Sequence, residues 1–235
     1  MTAPSGPDGP GGADGGSVSG DAAAADPLPR PGRTPDEVLR LLLDGNRRFA
    51  AEHMSHPAQT SDDRVRLAAA QEPLAVVLGC SDSRVAAEIV FDQGLGDLFV
   101  VRTAGHVLDD AVLGSIEYGT SVLGAPLVVV LGHHSCGALA AARDRLTGAA
   151  PAPGHIGTLV DRVVASLAPA SDLPDERSLL LMHLKRTVSM LLDASPVVAG
   201  LVDEGRCAVV ALEYWLAEGD VRYVTHQGRL DPPLP

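Results

Sequence analysis

Two short runs narrow the folds open to this chain. Ala75-Val-Val-Leu-Gly79-Cys80 and Val128-Val-Val-Leu-Gly132-His133 are apolar up to a glycine, and each then presents a side chain that binds metals. Runs of this length, rich in valine and without polar alternation, read as strands buried on both faces. Such strands belong to parallel sheets covered by helices on both sides. Leu98–Val101 is a third run of this kind and Cys207–Leu212 a fourth, with Val221–Val224 a candidate partner beside it.

Helical patterns fill the intervals. Thr34-Pro35-Asp36-Glu37 is an N-terminal signature: threonine to cap, proline in the first turn, glutamate to close a capping box. Val38, Leu39, Leu42 and Leu43 then follow at helical spacing. Further helices are expected over about 62–70, 85–91, 110–123, 137–146, 156–168, 178–194 and 196–203, with loops at 147–155 and 169–177. The expected architecture is therefore α/β, a mainly parallel central β-sheet flanked by helices, with an N-terminal helical arm over 34–70. One domain spans 34–230. Residues 1–33 are Gly, Pro, Ala, Asp and Ser with little to bury, which is the composition of a disordered tail, and 231–235 form a short C-terminal tail.

The net charge of −12 and the absence of a basic cluster argue against nucleic-acid binding, which needs clustered Lys and Arg to neutralise phosphates. No apolar run is long enough to span a bilayer, and the N-terminus lacks the basic start and apolar stretch of a secretory signal. The three cysteines, Cys80, Cys136 and Cys207, form no disulfide framework. The cytoplasm is the expected compartment.

In open parallel sheets, ligands bind beyond the carboxyl ends of the strands. If the two opening runs are neighbours, Cys80 meets His133 and Cys136 there. Two thiolates and an imidazole make a three-ligand zinc set that leaves a fourth position for water, the arrangement of a catalytic zinc. Asp82 lies close enough to Cys80 to accept a hydrogen bond from a metal-bound water. Arg84 is placed to hold Asp82 ionised and oriented. Cys207 sits in an apolar run with no His or acid nearby and reads as a buried structural thiol. His53 and His56 read as surface-loop residues and His134 as a residue at the rim of the site. Asp97 and Arg102 flank a strand and read as pairing or capping residues. For His106, proton transfer and loop packing both stand open.

Cys80-Ser-Asp-Ser-Arg84 followed by Gly132-His-His-Ser-Cys-Gly137 resembles the paired signature of β-class carbonic anhydrases. Gly96-Asp-Leu-Phe-Val-Val-Arg102 and Gly114-Ser-Ile-Glu-Tyr118 are similar to family segments lying between them. The resemblance covers about 35–228 and is strongest over 71–142. It implies the β-carbonic anhydrase fold, one zinc per chain on Cys80, His133 and Cys136, and Asp82 and Arg84 as the catalytic dyad. The implied reaction is the reversible hydration of carbon dioxide to bicarbonate and a proton by zinc-bound hydroxide. The resemblance also implies a homodimer or homotetramer, with active sites at subunit interfaces and N-terminal helices wrapping the partner. Gln71 matches the plant-type branch, in which a glutamine at this position donates to the substrate oxygen across the interface. Val77 stands where the bicarbonate-regulated branch has Trp, which argues against that regulation. Thr103 and His106 depart from the Asn found in many relatives. Two other readings remain: a carbonyl sulfide or carbon disulfide hydrolase of the same fold, and a non-catalytic zinc or redox-sensing protein.

Overall fold

The computed structural model describes residues 32–167 and 175–231. Most of the expected tails at 1–33 and 231–235, and most of the loop at 169–177, lie outside the described residues. Five strands form one sheet: β1 (Ala75–Cys80), β2 (Leu98–Thr103), β3 (Leu127–His133), β4 (Ala208–Tyr214) and β5 (Val221–Gln227), in the order β2-β1-β3-β4-β5. The first four are parallel and β5 closes the edge antiparallel to β4.

The lack of alternation in the strand sequences has a direct cause: both faces of the sheet are covered. Val76, Leu78, Val128 and Val130 point into one core, packed by α4 (Asp110–Glu117), α5 (Gly137–Leu146), α6 (Gly154–Leu167), α7 (Glu176–Ala194) and α8 (Pro196–Asp203). Ala75, Val77, Leu127, Val129 and Leu131 point into the other, closed by α1 (Pro35–Ala50) and the single turn α3 (Ala87–Val90). Each fully buried Val or Leu contributes about 1.5–3 kcal/mol of burial, so the central strands hold the molecule together.

Helix α1 starts where its capping box predicts. Glu37 N–H donates to Thr34 Oγ1 at 3.3 Å, and Thr34 N–H donates to Glu37 Oε2 at 2.8 Å. Its apolar stripe is buried against this chain's own sheet, with Val38 and Leu42 fully covered. The arm is thus two different things. After α1 comes α2 (Ser61–Leu67), which buries no residue at all and leaves Val65 77% exposed.

The helical pattern over 110–123 is not one regular helix. It widens into a π-turn at Tyr118–Val122, where Thr120 Oγ1 donates to Ile116 O and Ser121 Oγ to Glu117 O. Hydroxyls that bond back to the preceding turn compete with the regular ladder. Gly119 is also pressed so tightly on Val76 of β1 that a Cβ there would overlap it.

Candidate metal centre

β1 pairs directly with β3, Gly79 opposite Leu131. One row further along this register, Cys80 comes beside Gly132 with His133 next in line. Gly132 leaves space that a side chain would take: a Cβ would lie 2.7 and 2.8 Å from the methyls of Leu184. Chain reversal after β3 then returns Cys136. It passes through Ser135, a non-glycine residue at φ 54°, and places Cys136 at the N-cap of α5. The three expected ligands are thereby brought together. Their ligand atoms all lie within 4.8 Å of one another, and all three residues are buried.

The donor set fits zinc. The two sulfurs are 4.0 Å apart, close to the separation of about 3.8 Å for two thiolates on one tetrahedral ion. His133 Nδ1 lies 2.8 Å from the carbonyl of His134. A carbonyl only accepts, so Nδ1 carries the proton and Nε2 presents a lone pair. Nε2 is buried without a hydrogen-bond partner among the described residues, as a ligand atom requires. The Cys80 thiol is held well below the ordinary thiol range, first by the hydrogen bond from Cys136 and further by the backbone N–H groups of Gly105 and Asp82; the same sharing, together with burial, pushes Cys136 up.

Asp82 stands beside the ligands without joining them. Its Oδ2 is 3.9 Å from His133 Nε2. Arg84 holds the carboxylate from two sides, with Nε to Oδ1 at 2.9 Å and Nη2 to Oδ2 at 2.7 Å, and Arg84 N–H adds a third bond to Oδ1 at 2.9 Å. These bonds from Arg84 outweigh partial burial and keep the carboxyl far below the usual carboxylate range. Arg84 also reaches the carbonyl of Ser135 at 3.2 Å, tying the Asp82 turn to the turn that carries Cys136. On the far side, a cavity of only about 10 Å³ lies among His133, His134, Cys136, Leu139, Glu176 and Leu180. It has room for about one water.

Gln71 is not part of this group. It is exposed and precedes the start of β1, whereas Cys80 ends that strand. Five steps of about 3.3 Å put the two ends roughly 16 Å apart, so Gln71 sits at the opposite end of the sheet from its own chain's ligands.

Three residues matter more here than their sequence reading suggested. Arg102 does not merely flank β2: its Nε donates to Cys80 O at 2.9 Å and its Nη2 to Asp82 O at 2.6 Å, bracing the ligand turn from behind. Glu213 was not singled out at all, yet its buried carboxylate accepts from His134 Nε2 at 2.8 Å. His183 of α7 donates from Nε2 to Gly105 O at 2.8 Å, and burial drops its pKa to about 3, so it is a neutral strut. His106 is resolved in favour of packing: it is buried, its Nε2 donates to Leu131 O at 2.7 Å, and burial lowers its pKa. Cys207 is a buried thiol, pushed up to about 12 by burial. His53 and His56 are exposed.

Comparison with known proteins agrees with this geometry. The carbonic anhydrase family profile matches residues 75–221. Carbonic anhydrase 2 of Mycobacterium tuberculosis is 45% identical over 202 residues, covering 85% of this chain and 98% of that protein. A carbonic anhydrase of Mycolicibacterium smegmatis is 46% identical over 200 residues, covering 84% and 97%. The solved β-carbonic anhydrase of Coccomyxa in complex with acetazolamide superposes with a TM-score of 0.61 at 25% identity, over 81% of this chain and 88% of that one. With both cores, the Cys-His-Cys group and these relatives in agreement, the chain belongs to the carbonic anhydrase family, in its β class.

Proposed function

We propose that this chain is a carbonic anhydrase that interconverts carbon dioxide and bicarbonate, with one zinc per chain held by Cys80, His133 and Cys136. The observation that carries the reading is the pairing of a three-ligand group with a carboxylate that is ionised, oriented and left just outside it. Bound zinc supplies a nucleophile at neutral pH by lowering the pKa of water to about 7, a magnitude for which carbonic anhydrase is itself the standard example.

Asp82 accepts a hydrogen bond from the attacking water and so turns an oxygen lone pair toward the substrate carbon. Acceptance needs an ionised carboxylate in a fixed rotamer, which Arg84 provides by binding both of its oxygens. Arg102 keeps the Cys80–Asp82 backbone from relaxing away. Gln71 polarises a substrate oxygen in the site of a neighbouring copy. Its place at the far end of β1 supports that division of labour, because it cannot serve its own ligands.

The same argument supports a homo-oligomer, dimer or tetramer. Ile89, Leu95 and Val122 are 53%, 48% and 65% exposed, and the arm helix α2 buries nothing within the chain. One of the solved relatives, from Sordaria macrospora, is described as tetrameric. The domain division follows: 34–230 forms the catalytic unit and 34–70 its arm. No helix among the described residues is long and apolar enough to cross a membrane. Free thiols as ligands suit a reducing compartment, and the cytoplasm is the proposed location.

The test is stopped-flow carbon dioxide hydration on zinc-quantified protein. About one zinc per chain with fast hydration, both lost in Cys136→Ala, is the expected result. Zinc-loaded protein no faster than buffer would overturn the reading, and sulfide release from carbonyl sulfide would then be measured.

A further inference from the structure

The segment joining two of the ligands, His133-His134-Ser135-Cys136, is held from outside at every step. His134 N–H donates to Tyr214 O of β4 at 3.3 Å. Ser135 N–H donates to Glu176 Oε1 at 2.7 Å, and Ser135 O accepts from Arg84. The least expected anchor is Glu213. It lies on β4 opposite Gly132 in the ladder, its side chain is 1% exposed, and a buried carboxylate is costly unless fully paired. Here it is paired: Arg177 binds both oxygens at 3.0 and 3.1 Å, and His134 Nε2 lies 2.8 Å from Oε1. The carboxylate fixes His134 as an Nε2–H donor. The ring of His134 is further held against Trp215, with centroids 4.1 Å apart.

The other end of His134 meets the metal ligand. Its carbonyl accepts the Nδ1 proton of His133 at 2.8 Å. That bond sets the tautomer and the ring plane of the ligand, and hence the aim of Nε2.

We propose that Glu213 is a positioning residue of the metal centre. Through the His134 side chain it locks the carbonyl that orients His133, although it touches neither ligand nor substrate. The inference rests on the reading of Cys80, His133 and Cys136 as the zinc site. It assigns to Glu213 the task that outer carboxylates perform when they bond a ligand histidine directly, exerted here through one intervening residue.

The test is a double-mutant cycle read by zinc affinity, measured by chelator competition on the full chain as wild type, Glu213→Gln, His134→Ala and the double variant. Each single substitution is expected to weaken zinc binding by about 10-fold or more, the range for losing an outer-shell partner. The double variant is expected to be no weaker than the singles, because both break one link. Cobalt-substituted protein should show a shifted ligand-field spectrum in the same variants. Unchanged affinity in the single variants, or multiplying losses in the double, would overturn the proposal. If Glu213→Gln does not fold, Arg177→Ala, which unpins the Glu213 carboxylate, is read beside His134→Ala. Weakened zinc binding in both supports the link through Glu213; a loss confined to either one, or none in either, overturns it. Wild type that binds no zinc would overturn the metal-centre reading and this inference with it. Wild type that binds zinc beside unaffected variants would sink this inference alone.

Discussion

Asp82 and Arg84 divide one task. The carboxylate faces the point where the ligands converge, and the half-exposed guanidinium keeps it charged and still. Replacing Asp82 with Ala should lower turnover by about 10²–10⁴-fold, the range for a positioned proton acceptor, with zinc content unchanged. Stopped-flow rates set beside metal analysis of the same preparation check this. That Cys80, His133 and Cys136 stand together with Asp82 and Arg84 was legible in the sequence because they fall in two tight groups, each following a strand, where chemistry and spacing speak together. Arg102 was visible only as a strand-flanking charge, since nothing in its neighbours says that it reaches back to Cys80. Glu213 and His183 carried no local signal. Their importance depends on β4 lying beside β3 and on α7 crossing that face, and strand order is a property of the whole sheet.

Among the elements, the junction of α1, α3 and the chain between them is tied by one buried carboxylate. Asp92 is buried and accepts from Arg48 Nε at 2.6 Å, Ser55 N at 2.9 Å, Ser55 Oγ at 2.9 Å and His56 N at 3.0 Å. Burial alone would raise its pKa; the bonds from Ser55, Arg48 and His56 overcome it, and the net direction is down. A depressed carboxylate stabilises the fold fully above its unfolded value of about 3.9 and loses that contribution as pH falls through the folded value. Denaturant midpoints should therefore drop between about pH 5 and pH 2, less steeply in Asp92→Asn than in wild type. Gly45 of α1 approaches the Phe91 carbonyl so closely that a Cβ would overlap it. The overlap is with backbone and cannot be relieved by a rotamer, so Gly45→Ala should cost at least about 1–3 kcal/mol. The reading is a lower urea midpoint at unchanged m. The capping box of α1 was foreseen to the residue because capping is a local device, whereas β3 runs past its apolar run through Gly132 to His133 because β4 pairs with it there. The π-turn after α4 was not foreseen, because it arises from packing on β1.

At the scale of the molecule, the exposed apolar side chains and the unburied arm helix predict association. Sedimentation equilibrium should give at least twice the chain mass, and a monomer at micromolar concentration would refute the proposed oligomer. Removing zinc should lower Tm by several degrees, since an ion bound only by the native state stabilises it by mass action; differential scanning calorimetry with and without chelator reads this directly. The placement of the ligands bears also on the order of events as the chain is made. Cys80 and Cys136 are 56 residues apart in sequence, and between them lie α3, β2, α4 and β3. Closing such a segment costs on the order of 3.5 kcal/mol of chain entropy beyond a constant term. Before β1 finds β3, the newly synthesised chain offers an ion only the local His133 and Cys136 pair. On the proposed zinc reading, tight metal uptake therefore waits for the middle of the sheet to assemble, and an unfinished copy holds an ion by two ligands rather than three.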